Sequence, residues 1–423
     1  MFNQMRLTNW RDEVRSHAAL PLRVELWNGQ QLDFSSNQPK VTIRVPRPSA
    51  LRYLLSPSLY NLGSAYVEGA IDVSGRAVDM IDIVNALAST SAQKPGLLAR
   101  AVGSITHTRE KDAEAIRYHY DVSNDFYSAF LDPAMVYSCA YFENGDEDLA
   151  TAQRKKIDHI FAKIDLQPGH TLLDIGCGWG ALAIRAAQRF GVRVVGVTLS
   201  ENQLALARER VAAAGVQHLV DIRLQDYRDI EGTFDRITSV GMFEHVGLRH
   251  LPDYFARIDR LLSPGGICMN HGITTTDVDQ RGTPYGGGRF IDEYVFPHGE
   301  LAHLGMVVRC MQQGGLEVRD VENLRRHYAR TCALWTENFE NNAECIRHLT
   351  DPKRFRIWHV YLAGCSYAFD HDWISLYQIV CSKAGGASQM PWSRRAMYAA
   401  PLDAPVLAAA ETAPVKPAAE VLV

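Results

Sequence analysis

The chain lacks the patterns that would mark it for a metal, a disulfide scaffold, nucleic acid or a membrane span. Its 8 cysteines include no C-x-x-C pair and no paired spacing, which argues against a zinc site and against a disulfide framework. A net charge of −4 over 423 residues is too near neutral for a nucleic-acid footprint. No apolar run approaches the ~20 residues of a membrane-spanning helix. The polar, mixed-charge stretch from Met1 to Arg15 has no apolar core of the kind a secretory signal needs. The expectation is a cytoplasmic protein with no metal and no nucleic-acid partner, which meets any lipid from outside the bilayer. The first hundred residues carry 11 Lys+Arg against 8 Asp+Glu, compared with 33 against 40 in the remainder, a mild basic bias compatible with an anionic membrane surface.

What is present is ample apolar material, 47% of residues, in a chain long enough for two units. Alternating residues from Leu22 to Val45, broken by Asn28-Gly29, predict a short antiparallel element. Short helices over 49–55 and 62–67, a strand and turn over 71–75 and a helix over 80–87 complete a small α+β unit, residues 1–88. Residues 89–117 read as a linker, 118–385 as the main domain, and 386–423 as a disordered tail rich in Ala and Pro. In the main domain, strands over 192–197, 220–224, 234–240 and 267–271 alternate with helices over 151–164, 201–214 and 251–262. That alternation predicts an α/β fold with a doubly wound, mostly parallel sheet. Leu262-Ser263-Pro264-Gly265-Gly266 reads as a helix stop and turn. Helices over 328–342 and 354–368 precede an expected edge strand over 375–382.

The strongest motif is Leu172-Leu173-Asp174-Ile175-Gly176-Cys177-Gly178-Trp179-Gly180, an apolar strand that ends on a carboxylate and turns through three alternating glycines into a helix. Glycines admit a ligand where a Cβ would clash, and the helix start aims free N–H groups at it. A dinucleotide fold would use G-x-G-x-x-G and an acid about 20 residues on. Here the spacing is G-x-G-x-G and the next strand ends on Thr198-Leu199-Ser200, so NAD fits poorly. The loop resembles the S-adenosylmethionine loop of class I methyltransferases. Gln203, one turn into the next helix, can serve the ribose hydroxyls, or can close a capping box on Ser200. Asp226 and Tyr227, after the third strand, can accept from and pack on an adenine, although Asp226 also reads as a plain turn residue.

Further motifs carry a more specific resemblance. His119-Tyr120-Asp121-Val122-Ser123-Asn124-Asp125-Phe126-Tyr127, Tyr137-Ser138-Cys139-Ala140-Tyr141-Phe142, Gly241-Met242-Phe243-Glu244-His245-Val246-Gly247, Phe296-Pro297 and Tyr361-Leu362-Ala363-Gly364-Cys365 resemble, in order, the cyclopropane-fatty-acid synthases and mycolic-acid cyclopropane synthases. Residues 20–87 resemble the N-terminal domain of the members that act on phospholipid. The resemblance implies transfer of a sulfonium methyl to a cis double bond of a phospholipid acyl chain, followed by proton loss and ring closure. It also implies a bicarbonate base held by Cys139, Glu244, His271, the backbone at Ile273, and Tyr328, with Tyr137 and Ser138 at the cofactor beside Asp174, Gly176, Cys177, Gly178 and Gly180.

Each of these residues has a plainer reading: an inert buried thiol, a helix cap, a satisfied strand-end histidine, a packing ring. Cys365, another thiol in a family motif, reads as core on a helix face with Tyr361 and Phe369, since covalent capture has no role when the methyl passes directly to an alkene. The aromatic supply of Tyr120, Phe126, Tyr137, Tyr141, Phe142, Phe243 and Tyr328 suits a dry pocket for an electron-poor intermediate. Phe142 replaces a Trp common in the phospholipid enzymes, and Arg281-Gly282-Thr283-Pro284-Tyr285-Gly286-Gly287-Gly288 is closer to the mycolic-acid type. The expected partners are unsaturated phospholipid acyl chains at the inner membrane face, and a second copy of the chain. Alternatives are a methyltransferase that leaves a methyl branch, an inactive lipid-binding homologue, and an O- or N-methyltransferase, which leaves the N-terminal unit unexplained.

Overall fold

The structure, a computed structural model, describes residues 2–90, 122–279, 283–297, 299–386 and 390–398. His119, Tyr120, Asp121, Arg281, Gly282, residues 91–117 of the expected linker and the tail beyond 398 lie outside the described residues.

In the N-terminal unit, β1 (Leu22–Leu26) pairs antiparallel with β2 (Gln31–Asp33) around the Asn28-Gly29 turn, as the alternation predicts. The next strand corrects the expectation of an antiparallel element throughout, because β3 (Val41–Val45) runs parallel to β1. Three-residue β2 returns the chain to the start of β1, where Lys40 N–H donates to Pro21 O at 2.8 Å, so β3 sets out in the same direction as β1. Strand β4 (Asp72–Ser74) closes this sheet against β3. Helices Leu59–Val67 and Ala77–Thr90 pack on it, and so does a helix over Phe2–His17 in the stretch read only as polar. Leu7, Trp10 and Val14, spaced by three and four, are the buried face of that first helix.

The main domain is a seven-stranded sheet in the order β10-β11-β9-β8-β5-β6-β7, comprising β5 (Thr171–Ile175), β6 (Arg193–Thr198), β7 (Val220–Leu224), β8 (Phe234–Val240), β9 (Leu262–Thr275), β10 (Leu316–Asn323) and β11 (Ile374–Lys383). Only β11 runs against its neighbours, so the sheet is mostly parallel and wrapped by helices on both faces. On one face Leu172, Val194 and Ile222 meet helices Leu149–Lys163, Ala181–Phe190 and Glu201–Ala213. On the other, Leu173, Val197 and Ile237 meet Leu251–Leu261 and Leu304–Gln313.

Three expectations need correction. β11 is not an edge strand: it lies between β9 and β10, nearly every residue buried, and the edge is β10, whose Glu317, Arg319, Asp320 and Glu322 interrupt its apolar residues as edge strands require. The expected turn at Ser263-Pro264-Gly265-Gly266 is instead a bulge inside β9, where pairing jumps from Phe234–Leu262 to Arg236–Ile267. Residues 390–398, expected in the tail, hold against the domain: Met397 is buried, and its carbonyl lies 3.1 Å from His159 Nδ1.

The N-terminal unit docks on helices Arg325–Asn341 and Pro352–Asp370. Glu340 caps the helix Ala77–Thr90 by accepting from Ala77 N–H at 2.7 Å, and Arg356 donates to Tyr66 O at 2.7 Å.

Candidate active site

A cavity opens at the C-terminal ends of β5, β6 and β8, where an open α/β sheet binds ligands. The glycine loop is its floor. Gly176, Gly178 and Gly180 all have positive φ, at +80°, +54° and +82°, a region that L side chains avoid. A Cβ on Gly178 would meet nothing within 4 Å, so the protein keeps that space clear. Asp174, at the strand tip, accepts from Thr238 Oγ1 at 2.8 Å; burial raises its pKa to about 6, against the pull of Thr238 and Lys156.

The opposite wall comes from the segment before the domain's first long helix. Asp132 accepts from Ala134 N–H and Val136 N–H, shaping a turn that presents Tyr137 and Ser138. Gln153 then donates to Val136 O and Ser138 O, and Lys156 Nζ donates to Ser138 Oγ at 3.0 Å, which leaves the Ser138 proton to be donated onward. Burial lowers the Lys156 pKa to about 8.

At the far end, Ser200 caps its helix through Gln203 N–H, as half of a capping box would. The reciprocal bond is absent, because Ser200 N–H goes to Thr198 Oγ1, while Thr198 Oγ1 donates to Gln203 Oε1 at 2.7 Å. Gln203 thus lines the cavity with its oxygen anchored and its NH2 as the donor it can offer.

Tyr137, Ser138, Asp174, Gly176, Cys177, Gly178, Thr198, Leu199, Gln203 and Tyr227 all line this cavity; Gly180 and Asp226 do not. Gly180 caps the helix Ala181–Phe190. Asp226 binds Arg228 at 2.7 Å and accepts from its N–H, closing the turn that presents Tyr227. Sequence reasoning missed Lys156, Trp179, Gln225, Met242 and His245, which also line it. Trp179 carried a readable signal, since it stands inside the glycine motif and donates to Asn124 Oδ1 at 2.8 Å.

Tyr137 also belongs to a second feature, an aromatic cluster containing Phe126, Tyr127, Phe130, Trp335 and Trp358. Cys139 is buried in it, and Ile273, Tyr328 and Cys365 pack against it. Burial keeps Cys139 protonated, its pKa well above the ordinary thiol value, and the thiol donates to Ala140 O at 3.2 Å. The Tyr328 phenol is pushed up likewise and stacks on Phe369 at 4.5 Å. Burial pushes Cys365 up to about 12, the environment of a packed thiol rather than a nucleophile.

Of the other aromatics, Phe126 and Phe142 belong to this cluster, Tyr141 stacks between His159 and His327, and Phe243 packs on the other sheet face. Glu244 reaches the cluster's border by accepting from Ile273 N–H at 2.7 Å, while its Oε2 is buried without a partner; burial raises its pKa to about 7. His271, two residues earlier on β9, is buried and held neutral by desolvation and by the charges of Lys156 and Lys163, and its Nε2 has no partner.

A profile described as mycolic acid cyclopropane synthetase matches residues 107–379. The chain belongs to the mycolic acid cyclopropane synthetase family. It is an S-adenosylmethionine-dependent cyclopropane and fatty-acid methyltransferase family. A second profile, described as a domain of unknown function, matches residues 10–95. The chain is 46% identical over 386 residues to a probable fatty acid methyltransferase of Pseudomonas putida, covering 90% of this chain and 96% of that protein. It is 36% identical over 347 residues to the cyclopropane-fatty-acyl-phospholipid synthase of Escherichia coli, covering 81% and 87%. A crystal structure of a mycolic acid cyclopropane synthase complexed with SAH and CTAB superposes with a TM-score of 0.61 at 37% identity, covering 64% of this chain and 98% of that one.

The cavity fits the cofactor of this family. Gly178 clears room, Ser138 and Gln203 offer donors, Asp174 offers a carboxylate and Tyr227 a ring.

Gly272 sets the Glu244 turn in this family member. An added Cβ there would stand 1.9 Å from Phe243 Cε1, so the ring of Phe243 occupies the space a side chain would take and seats the next residue, Glu244, on β9. Gly272→Ala is expected to displace Phe243, to cost about 1–3 kcal/mol by overpacking, and to depress turnover more than cofactor affinity. Urea denaturation and calorimetric titration with S-adenosylhomocysteine would measure both.

Proposed function

We propose that the protein transfers the methyl of S-adenosylmethionine to a cis double bond of an unsaturated phospholipid acyl chain. Loss of a proton from the added carbon then closes a cyclopropane ring. The observation that carries this reading is two buried polar atoms without partners, His271 Nε2 and Glu244 Oε2, the second on a carboxylate held to Ile273, which packs against an aromatic cluster that Tyr137 joins to the cofactor cavity. Orphaned buried groups of this kind cost about 1–3 kcal/mol each unless a ligand answers them. Bicarbonate fits them, with His271 and Tyr328 as its donors and Glu244 as the acceptor of its proton, beside Cys139 and the backbone at Ile273, whose own protons serve Ala140 O and Glu244 Oε1. Bound S-adenosylmethionine supplies the electrophilic methyl, and bound bicarbonate supplies the proton acceptor.

The chain's own residues do the rest. The rings of Tyr137, Trp335 and Trp358 exclude water from a weak carbon nucleophile and face its positive charge without capturing it. The thiols of Cys139 and Cys365, protonated by burial, are poor competitors for the methyl. Glu244 stays partly protonated near neutrality, which blunts its alkylation.

The N-terminal unit, with the mildly basic first hundred residues it belongs to, would engage the inner membrane face or a second copy of the chain. Among the described residues no helix is long and apolar enough to cross a membrane.

A second reading, a methyl-branched product, draws on the printed name of the Pseudomonas putida relative. Incubation with S-adenosylmethionine and vesicles of cis-monounsaturated phospholipid, followed by mass spectrometry of the released fatty acids, separates the two. Cyclopropane acyl chains are the expected product. Saturated or olefinic methyl-branched chains would establish the second reading, and lipid binding without product would indicate an inactive homologue.

A further inference from the structure

We propose that Gln378 is a positioning residue that fixes His271 in the tautomer bearing its proton on Nε2, so that the ring presents an N–H donor to the anion bordered by Glu244. The significance of that donor rests on the function proposed above. Strand register brings the two residues together, for β9 and β11 pair antiparallel with Gln378 directly opposite His271. Both are buried, at 0% and 1% exposure, so neither finds a partner in solvent. Gln378 Nε2 lies 3.2 Å from His271 Nδ1. An amide NH2 can only donate, so Nδ1 is the accepting nitrogen and the single proton of the neutral ring goes to Nε2.

Neutrality has its own physical cause. An imidazolium here would be desolvated and would face the charges of Lys156 and Lys163. The proton on Nε2 then has nothing in the protein to receive it, since that nitrogen is buried and unpartnered. Nearby on the same strand, Ile273 N–H already serves Glu244 Oε1, which leaves Glu244 Oε2 as an acceptor without a donor. A small anion that carries one proton complements this pair: it accepts from His271 and donates to Glu244. With the proton on Nδ1 the ring would turn a lone pair toward that anion and repel it. Gln378 thus decides whether His271 attracts the ligand or repels it, although Gln378 itself need not touch it.

The test uses the full chain labelled with ¹⁵N-histidine. Side-chain nitrogen NMR is read for the parent and for Gln378→Glu, with a His271→Asn spectrum to identify the resonances. The parent is expected to show a pyridine-type Nδ1 and a pyrrole-type Nε2. Gln378→Glu, whose carboxylate accepts, is expected to draw a proton onto Nδ1 and to raise the bicarbonate KM about tenfold, comparable to losing an orienting partner behind a metal ligand, while the KM for S-adenosylmethionine stays constant. A pyrrole-type Nδ1 in the parent, the result of an amide turned the other way, overturns the proposal. So does a Gln378→Glu protein that keeps the parent's tautomer. Should that variant fail to fold, the parent spectrum alone decides. Parent turnover indifferent to bicarbonate, alongside an Nε2–H tautomer, would remove the anion from the proposed function and leave Gln378's control of the ring standing.

Discussion

Glu244→Gln is expected to lower turnover by about 10²–10⁴-fold, the range for losing a group that handles a proton in the transition state, while S-adenosylhomocysteine binds within about twofold of the parent. The asymmetry follows from placement. Glu244 does not line the cofactor cavity, although Met242 and His245 on either side of its turn do. The glutamine retains an oxygen to accept from Ile273 N–H and loses only the capacity of the second position to accept a proton. Affinity falling in step with rate would put Glu244 in the wrong role.

The same substitution should stabilise the protein, with a defined pH dependence. The folded-state pKa of Glu244 is raised from 4.5 to about 7 by burial. Below about pH 4.5 the carboxyl is protonated in both folded and unfolded chains and costs nothing. Between 4.5 and 7 the unfolded chain ionises while the folded one holds its proton, so stability drains away, and the cost levels off above 7 at roughly 3 kcal/mol. Glutamine has no such penalty. The variant is therefore expected to unfold at the parent's urea concentration near pH 4.5 and at a higher one at pH 8. The parent's turnover should fall on the acid side with a midpoint near pH 7, where Glu244 takes up its proton. An unchanged urea midpoint at pH 8 would mean that the carboxylate is solvated in the folded state.

The parts of this fold legible in the sequence were those in which local pattern and tertiary role coincide. Strand β5 carries Asp174 next to its last residue and its loop carries three glycines because ligand and backbone compete for one space, so the chemistry is written in adjacent positions. The Asn28-Gly29 turn is legible for the same reason. Strand β10 was hidden because an edge strand bears charges that break the alternation, and without it β11 looked like the border. The helix over Phe2–His17 was hidden because its buried residues among those whose side chains are described, Leu7, Trp10 and Val14, are few against many polar ones.

At the site, Ser138 and Gln203 could be named from motifs, but their anchors could not. Lys156 and Gln153 reach Ser138 from a helix one turn apart, and Gln378 reaches His271 across a strand pair more than a hundred residues away in sequence. A motif marks the groups that touch a ligand; the groups that orient them are fixed by topology, which a single sequence reports only after the sheet order is known.

Gly178→Ala is expected to weaken S-adenosylhomocysteine binding by about 100-fold, equivalent to about 2.7 kcal/mol, and Gly191→Ala not at all. The two glycines are matched in backbone conformation, with φ of +54° and +64°, and an added Cβ meets no protein atom within 4 Å at either. Both substitutions force a left-handed residue that costs roughly 1–2 kcal/mol, so the two variants should lose similar stability in urea denaturation. They differ in what occupies the open space. Gly191 ends the helix Ala181–Phe190 on the exposed surface, whereas Gly178 lines the cavity. Any excess loss of affinity at Gly178 therefore measures contact between a ligand and the loop, separated from backbone strain. Equal, small effects on binding at both positions would show that the glycine at 178 serves the turn alone, and the cofactor would have to sit against Ser138, Gln203 and Tyr227 without approaching the loop.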